Sequence, residues 1–321
     1  MNPAFSVIFL TTLIGAGQGL FLALFTGQSY ALFNLLPKQE GGFYAAGSFI
    51  SLILLAAGLG ASFFHLGHPE RAWRAASQWR TSWLSREVIV LPAFMGAVFC
   101  YGLAHWMGWQ SVLAVLPGGT VIDLTVVLGI LGTLLAFLLF VCTGMIYACL
   151  RFLREWHSPL TVVNFILLGG ASGFILAALF ASLSAPELAP FFAVWAIILM
   201  LLGLVSRSAA LIRNHRLRPK STLQTAIGIK HPRIVQKSMG FMGGSFNTRE
   251  FSHGAASLRS IKPAFLLLAF GAPLILFAVS FSNPILLGLA FVLHYCGLLA
   301  ERWFFFAEAN HPQNLYYQTL G

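Results

Sequence analysis

Residues 121–150 read VIDLTVVLGILGTLLAFLLFVCTGMIYACL, with Asp123 at the leading edge as the single charge. A helix needs about 20 predominantly apolar residues to cross the hydrocarbon core of a bilayer. Only a helix or a closed barrel satisfies its own backbone there. The stretch is longer than that minimum and carries no strand-like alternation, so it reads as a membrane-spanning helix. Working outward, seven more runs qualify, at about 4–34, 43–65, 88–108, 159–184, 188–206, 264–281 and 284–307. Ser184-Ala185-Pro186-Glu187 and Ser282-Asn283-Pro284 mark tight turns between neighbouring runs. The whole chain agrees: of 321 residues 58% are apolar and 9% charged, against roughly 25% charged in soluble domains. The expected fold is an all-α integral membrane protein, a bundle of eight transmembrane helices forming one membrane domain over 1–321.

Charge sets the expected orientation. Eight crossings put both termini and the 2–3, 4–5 and 6–7 loops on one face, which leaves Lys38 as the one basic side chain of 19 on the other. Short Lys/Arg-rich loops stay cytoplasmic, so both termini are expected inside. The basic excess therefore reads as topology, and no soluble basic domain is visible for nucleic acid. Met1 to Phe9, at the start of the first run, has no Lys or Arg, unlike a secretory signal. It reads as a permanent span. The 6–7 loop, 207–262, is expected as a long basic cytoplasmic loop that covers the inner face and docks a partner; headgroup attraction alone is the simpler reading.

The spans carry little catalytic chemistry. Cys100, Cys142, Cys149 and Cys296 form no C-x-x-C pair, so no iron–sulfur or zinc site is expected in this chain. Asp123 and Glu187 fall at outer ends and Glu87 and Glu301 near inner ends, leaving no mid-depth carboxylate of the kind that ion-coupled transporters use. Haem would need two His at similar depth. His105 and His294 differ by roughly a dozen ångströms at about 1.5 Å per residue, so a cytochrome b-type subunit is disfavoured. Gln18 and His294 near the midplane read as interhelical hydrogen-bond formers. Gly15, Gly17, Gly19, Gly129, Gly132, Gly169 and Gly173 read as close-packing positions.

Polar residues gather instead at the inner boundary. Span two ends in His65-Leu66-Gly67-His68-Pro69-Glu70-Arg71-Ala72-Trp73-Arg74, and span three follows Ser82-Trp83-Leu84-Ser85-Arg86-Glu87. Apolar walls with a few polar groups suit a small-molecule site. A quinone matches it: two carbonyls needing donors, a flat ring needing aromatic walls, and a tail left in lipid. His65, with an unperturbed pKa of about 6.5, and Glu87 are the candidates for moving protons. Trp83 and Arg86 are expected to wall the headgroup. By spacing alone His65 equally suits a helix-end carbonyl partner, and Arg71 and Arg86 equally suit positive-inside anchoring.

The stretch His65-Leu66-Gly67-x-Pro69-x-Arg71-Ala72, then Ser82-x-Leu84-Ser85-x-Glu87, resembles the membrane-anchor subunits of dimethyl sulfoxide reductase and its relatives. So do Phe246-Asn247-Thr248-Arg249-Glu250-Phe251, Glu301-Arg302-Trp303 and His311-Pro312-x-Asn314-Leu315-Tyr316-Tyr317. The resemblance covers essentially the whole chain. It implies an anchor without haem for an iron–sulfur electron-transfer subunit and a molybdopterin catalytic subunit in the bacterial inner membrane. Electrons would pass between those partners and ubiquinone or menaquinone. It associates His65, Arg71 and Glu87 with the quinone site. By position, Arg74, Arg80, Asn247, Arg249, Glu250 and Arg302 are expected to dock the partner. The basic, Trp-rich Arg71–Arg86 segment and the inward charge resemble the sulfite-oxidising branch, whose partners are cytoplasmic, more than the sulfoxide-reducing branch.

Overall fold

The computed structural model describes residues 4–109, 111–115, 121–218, 224–225, 228, 234–236, 255–309 and 318–320. Helix α1 (Phe5–Leu32) is followed by α2 (Gly41–Ser62). Two 3-10 segments, Phe63–His65 and Pro69–Gln78, then lead to α3 (Trp83–Trp106). A short antiparallel hairpin of β1 (Val112–Val115) and β2 (Val121–Asp123) precedes α4 (Leu124–Ala148). Next come α5 (Pro159–Ser184) and α6 (Ala189–His215). One broken crossing joins α7 (Ala255–Leu266), a π-helical turn at Leu267–Gly271 and α8 (Ala272–Val279). The last crossing is α9 (Pro284–Glu308). Strand β3 (Ile234–Gln236) pairs antiparallel with β4 (Gln318–Leu320).

Among the described residues, eight helical stretches are long and apolar enough to cross a membrane, and the chain is an all-α membrane protein. Local chemistry sets their starts. The Ser82 hydroxyl accepts from Ser85 N, Asp123 Oδ1 from Val126 N, Ser158 Oγ from Leu160 N, and Asn283 Oδ1 from Ile285 N and Leu286 N. Each satisfies donors that a helix start leaves open. Pro159 and Pro284 sit in first turns, where their missing N–H costs nothing. We call the end holding the starts of α1, α3, α5 and α7 the basic end, and the other the far end.

Helices α1 and α5 form the centre. A Cβ on Gly19 or Gly173 would run into backbone of the facing helix, so these backbones touch directly, as the small-residue spacing predicts. Gln18 Nε2 donates to the carbonyl of Ala136 at 2.9 Å. His294 Nδ1 donates to the carbonyl of Ala269 at 2.7 Å, and Nε2 pairs with the Ser172 hydroxyl at 3.0 Å. Both polar residues therefore join helices. Ala269 lies in the π-helical turn, where Gly297 of α9 also comes into backbone contact. The irregular turn thus coincides with a carbonyl taken by a neighbouring helix.

Several expected boundaries move. Span four begins at Leu124, because Val121–Asp123 belongs to a hairpin that periodicity did not reveal. Span three starts at Trp83, a full turn before Glu87, so Glu87 lies inside a helix rather than before it. Helix α6 runs on to His215 and α7 starts at Ala255, so the expected 207–262 loop gives up both ends to helix. Arg207, assigned to that loop by its charge, is a helical residue 2% exposed. Its buried acidic partner explains how a helix tolerates it there.

Candidate functional site

The basic end carries the segment that links α2 to α3. Helix α2 tightens into the 3-10 turn Phe63–His65, and the second 3-10 segment then runs along the surface with Pro69 in its first turn. His65, Arg71, Arg74 and Arg80 are exposed. Arg71 Nε lies 3.6 Å from Glu70 Oε1, and His68 Nδ1 lies 3.1 Å from the same oxygen. Arg74, Arg80 and Arg86 stand over the rings of Trp73, Trp79 and Trp83 at 5.6, 5.4 and 4.2 Å. Such Trp/Arg pairs suit a membrane–water boundary, where ring and cation each keep a favoured solvent.

Arg86, expected to wall the headgroup, is tied to the backbone. Its Nε donates to the carbonyl of Trp79 at 2.9 Å and its Nη2 to that of Arg80 at 2.8 Å. It fastens the end of the surface segment to the start of α3. Trp83, half-buried beneath it, packs against the main core.

An open, largely apolar groove of about 520 Å³ runs between α1 and α2 beside this segment. Phe9 and Leu13 of α1, Ala57, Gly60 and Ala61 of α2, and Phe64 line it. A Cβ on Gly60 would meet nothing within 4 Å, so the groove floor is free. His65, the residue after Phe64, ends the same 3-10 turn and is exposed. A flat ring with an aliphatic tail fits such an open apolar groove.

Glu87 occupies a different place. It is 9% exposed and accepts a hydrogen bond from the Thr143 hydroxyl. With Thr11, Gln18, Thr143 and Arg302 it lines an enclosed cavity of about 10 Å³, room for a single water. Cavity-lining Thr11 and Gly15 lie opposite groove-lining Phe9 and Leu13 around α1, since each residue advances the helix by about 100°. The turns of α1 thus stand between the groove and the Glu87 cavity. Sequence adjacency to one motif did not reveal this, because it follows from which face of α1 packs on α5.

Arg302, expected on the docking surface, is corrected by the structure. It is 3% exposed, its guanidinium stacks over Phe165 at 3.8 Å, and its Nη1 lies 3.3 Å from Glu301 Oε2. Glu301 Oε1 lies 2.7 Å from Arg207 Nε. An aromatic group of Tyr147, Trp156, Phe165, Phe305 and Phe306 packs around this cluster, with Trp156 Nε1 donating to the carbonyl of Phe305 at 2.8 Å. The charges are therefore sealed from solvent. Asn247, Arg249 and Glu250, also expected to dock a partner, lie outside the described residues. So do the Phe246–Phe251 and His311–Tyr317 motifs.

Comparison with known proteins agrees with this architecture. The sequence model of a family described as DMSO reductase anchor subunit (DmsC) matches residues 1–308. The chain is also 58% identical, over the full length of both, to a sulfite dehydrogenase subunit of Allochromatium vinosum.

Proposed function

This chain belongs to the DMSO reductase anchor subunit (DmsC) family, and from that premise we propose that it is the quinone-reactive member of its complex. As such an anchor it is a multi-pass membrane subunit of an oxidoreductase complex, working with catalytic and electron-transfer partner subunits. In our reading those partners carry the molybdopterin and the iron–sulfur clusters. They sit at the basic end, which faces the cytoplasm of a bacterial inner membrane. The lopsided basic charge supports that orientation.

The observation that carries the proposal is the open apolar groove between α1 and α2, which ends at Phe64, next in sequence to His65. The tail of a ubiquinone or menaquinone lies along Phe9, Leu13 and Ala57, and the headgroup reaches His65 and Arg71 at the boundary. Reduction takes two electrons from the partner subunits and two protons, giving quinol. An imidazole carries both a donor and an acceptor nitrogen, so His65 both donates to a quinone carbonyl and exchanges a proton there. Arg71, always charged, stabilises negative charge developing on the second carbonyl. Trp83 and Arg86 brace the segment that holds His65 and Arg71. Arg74 and Arg80 present their charge to the partner. Glu87 serves proton traffic from inside the bundle.

The full-length relative supports sulfite oxidation to sulfate with quinone reduction as the reaction of the complex. The deciding experiment compares wild type with His65→Ala in the purified complex, its partners included. Quinone-linked turnover is expected to fall by about 10²-fold or more, while sulfite oxidation with an artificial dye continues. Unchanged quinone kinetics would remove His65 from the site. Quinol-driven sulfoxide reduction, in place of sulfite oxidation, would reverse the assigned direction.

A further inference from the structure

The far end of the bundle holds an open cavity of about 410 Å³, to which α1, α2, α3, α4 and the β1–β2 hairpin all contribute. That volume falls in the range of small-molecule sites. Its walls are of two kinds. Asn34, Lys38 and Gln39, from the α1–α2 connection, and Asp123 make one part polar, whereas Leu32, Val112, Val121 and Val126 make another part apolar. Walls of both kinds suit an amphiphile. The surroundings agree, because Val112, Leu113 and Val115 of the hairpin are exposed, as are Trp106 and Trp109 just before it. Exposed Trp marks the headgroup level of a bilayer.

The charges narrow the choice. Lys38, Glu40, Asp123 and Glu187 are the charged side chains of this end, and of these Lys38 and Asp123 line the cavity. Glu40 is exposed, and Glu187 accepts from Gln39 Nε2 at 2.8 Å. Lys38 makes no salt bridge among the described residues. Asp123 Oδ1 accepts from Val126 N and from the Thr125 hydroxyl, while Oδ2 makes no hydrogen bond among the described residues. The lining thus presents one group of each sign. An occupant of a single sign would satisfy one and oppose the other, and a charge taken out of water without a partner is costly. An occupant carrying both signs satisfies both. His105 borders the same cavity, and neither of its ring nitrogens has a hydrogen-bond partner among the described residues. Buried polar groups are normally paired, and an occupant with acceptor oxygens would supply that pairing.

We propose that this cavity binds the headgroup of a far-leaflet phospholipid that carries a phosphate and a primary ammonium, an ethanolamine-type zwitterion. The phosphate pairs with Lys38, the ammonium donates to Asp123 Oδ2, and the acyl chains leave over Val112 and Val121. Occupancy ties the α1–α2 connection, through Lys38, to the start of α4, through Asp123. A choline headgroup has no N–H to give Asp123, and a glycerol headgroup has no cation. The site lies at the end opposite the quinone groove and stands apart from that reading.

Native mass spectrometry of the purified complex, stripped of lipid by detergent, tests this by titration with ethanolamine, choline and glycerol phospholipids of identical acyl chains. The ethanolamine lipid is expected to bind at least about tenfold more tightly than either, the factor for a hydrogen bond between charged groups. Asp123→Asn keeps a good N-cap for α4 and should bring the ethanolamine lipid down to the level of the choline lipid. Lys38→Gln, at an exposed position, should weaken both about threefold and leave their ratio unchanged. Equal binding of the three lipids overturns the proposal, as does an ethanolamine preference that persists in Asp123→Asn. Undiminished binding in Lys38→Gln, which leaves the core untouched, overturns it without reference to the Asp123 variant. Water-soluble glycerophosphoethanolamine at equal concentration should leave the lipid in place. Its displacing the lipid would overturn the lipid assignment in favour of a soluble aminoalkyl phosphate.

Discussion

The two ends of the bundle solve the problem of polar groups in lipid differently. At the basic end, Arg207, Glu301 and Arg302 are buried as charges and offset one another. At the far end, the buried polar groups are mostly neutral and hydrogen-bonded in a chain. Tyr101 OH donates to Gln28 Oε1 at 2.7 Å, Gln28 Nε2 donates to Thr125 Oγ1 at 2.7 Å, and Thr125 donates to Asp123 Oδ1 at 2.7 Å. They border an open polar cavity of about 410 Å³ whose rim carries Lys38. Neutral hydrogen-bonded groups build structure at modest cost, whereas buried charges cost far more and are kept where charge moves. The contrast supports the basic end as the chemical end of the proposed function, independently of any motif.

The sharpest way to break that contrast is Glu301→Ala. It strands two guanidiniums in a sealed aromatic setting, and breaking a buried ion pair costs about 3–5 kcal/mol. The purified protein should unfold at markedly lower temperature and assemble poorly with its partners. A melting temperature equal to that of wild type would show that the cluster is hydrated and that its charges are screened.

Gln28→Ala is the matching cut at the far end. It removes a neutral bridge and leaves Tyr101 OH without its acceptor, a loss of about 1–3 kcal/mol. Thermal unfolding should report that smaller shift, and quinone-linked turnover per folded complex should stay at the wild-type level. A turnover defect larger than the stability defect would place chemistry at the far end and undo the comparison.

His105→Phe is expected to do less still. His105 is 7% exposed, stacks on Tyr44 with centroids 4.5 Å apart and meets Tyr101 edge-on at 4.6 Å. Neither ring nitrogen has a hydrogen-bond partner among the described residues. A phenyl ring keeps both ring contacts, so the stability change should stay within about 1 kcal/mol. A larger loss would reveal a hydrogen-bonding role through bound water in the far-end cavity.

What the sequence disclosed follows from the same physics. Lipid demands long uncharged runs, so the eight crossings were legible, and Pro159–Ser184 matches its run end for end. The close glycines were legible because Gly15, Gly19, Gly169 and Gly173 share a spacing. Arg207 was not, because a lone Arg between two serines looks like the end of a span; its acidic partner sits on a distant helix. The segment from His65 to Glu87 stood out as a motif. That α1 divides His65 from Glu87 did not, since helix-face assignment depends on which neighbour the glycines admit. The β1–β2 hairpin was hidden because Val121 and Ile122 of β2 extend the apolar run of span four.

In the intact protein no effect is expected where the two ends would have to communicate. Phe21 and Phe94, both fully buried, meet edge-to-face at 5.5 Å, and Phe21 also contacts Tyr101 at 5.3 Å. Phe140, buried as well, lines the Glu87 cavity. Gly132 admits the Phe21 ring, where any Cβ would collide with it. This aromatic layer separates the Gln28–Tyr101 chain from Glu87, and close-packed rings leave no room for a water file. Protons taken up during quinone reduction should therefore come from the basic end alone. In vesicles with the complex oriented one way, dyes on each side should report uptake at the basic end and no change at the far end. A membrane potential should leave the rate unaltered, because no charge crosses the layer. Substituting Phe21→Ala tests the barrier itself: it opens a cavity costing about 3–5 kcal/mol in stability, and far-end uptake appearing in this variant would identify the ring as the seal. Far-end uptake already present in wild type would instead mean that the two polar regions are joined by a path around Phe21.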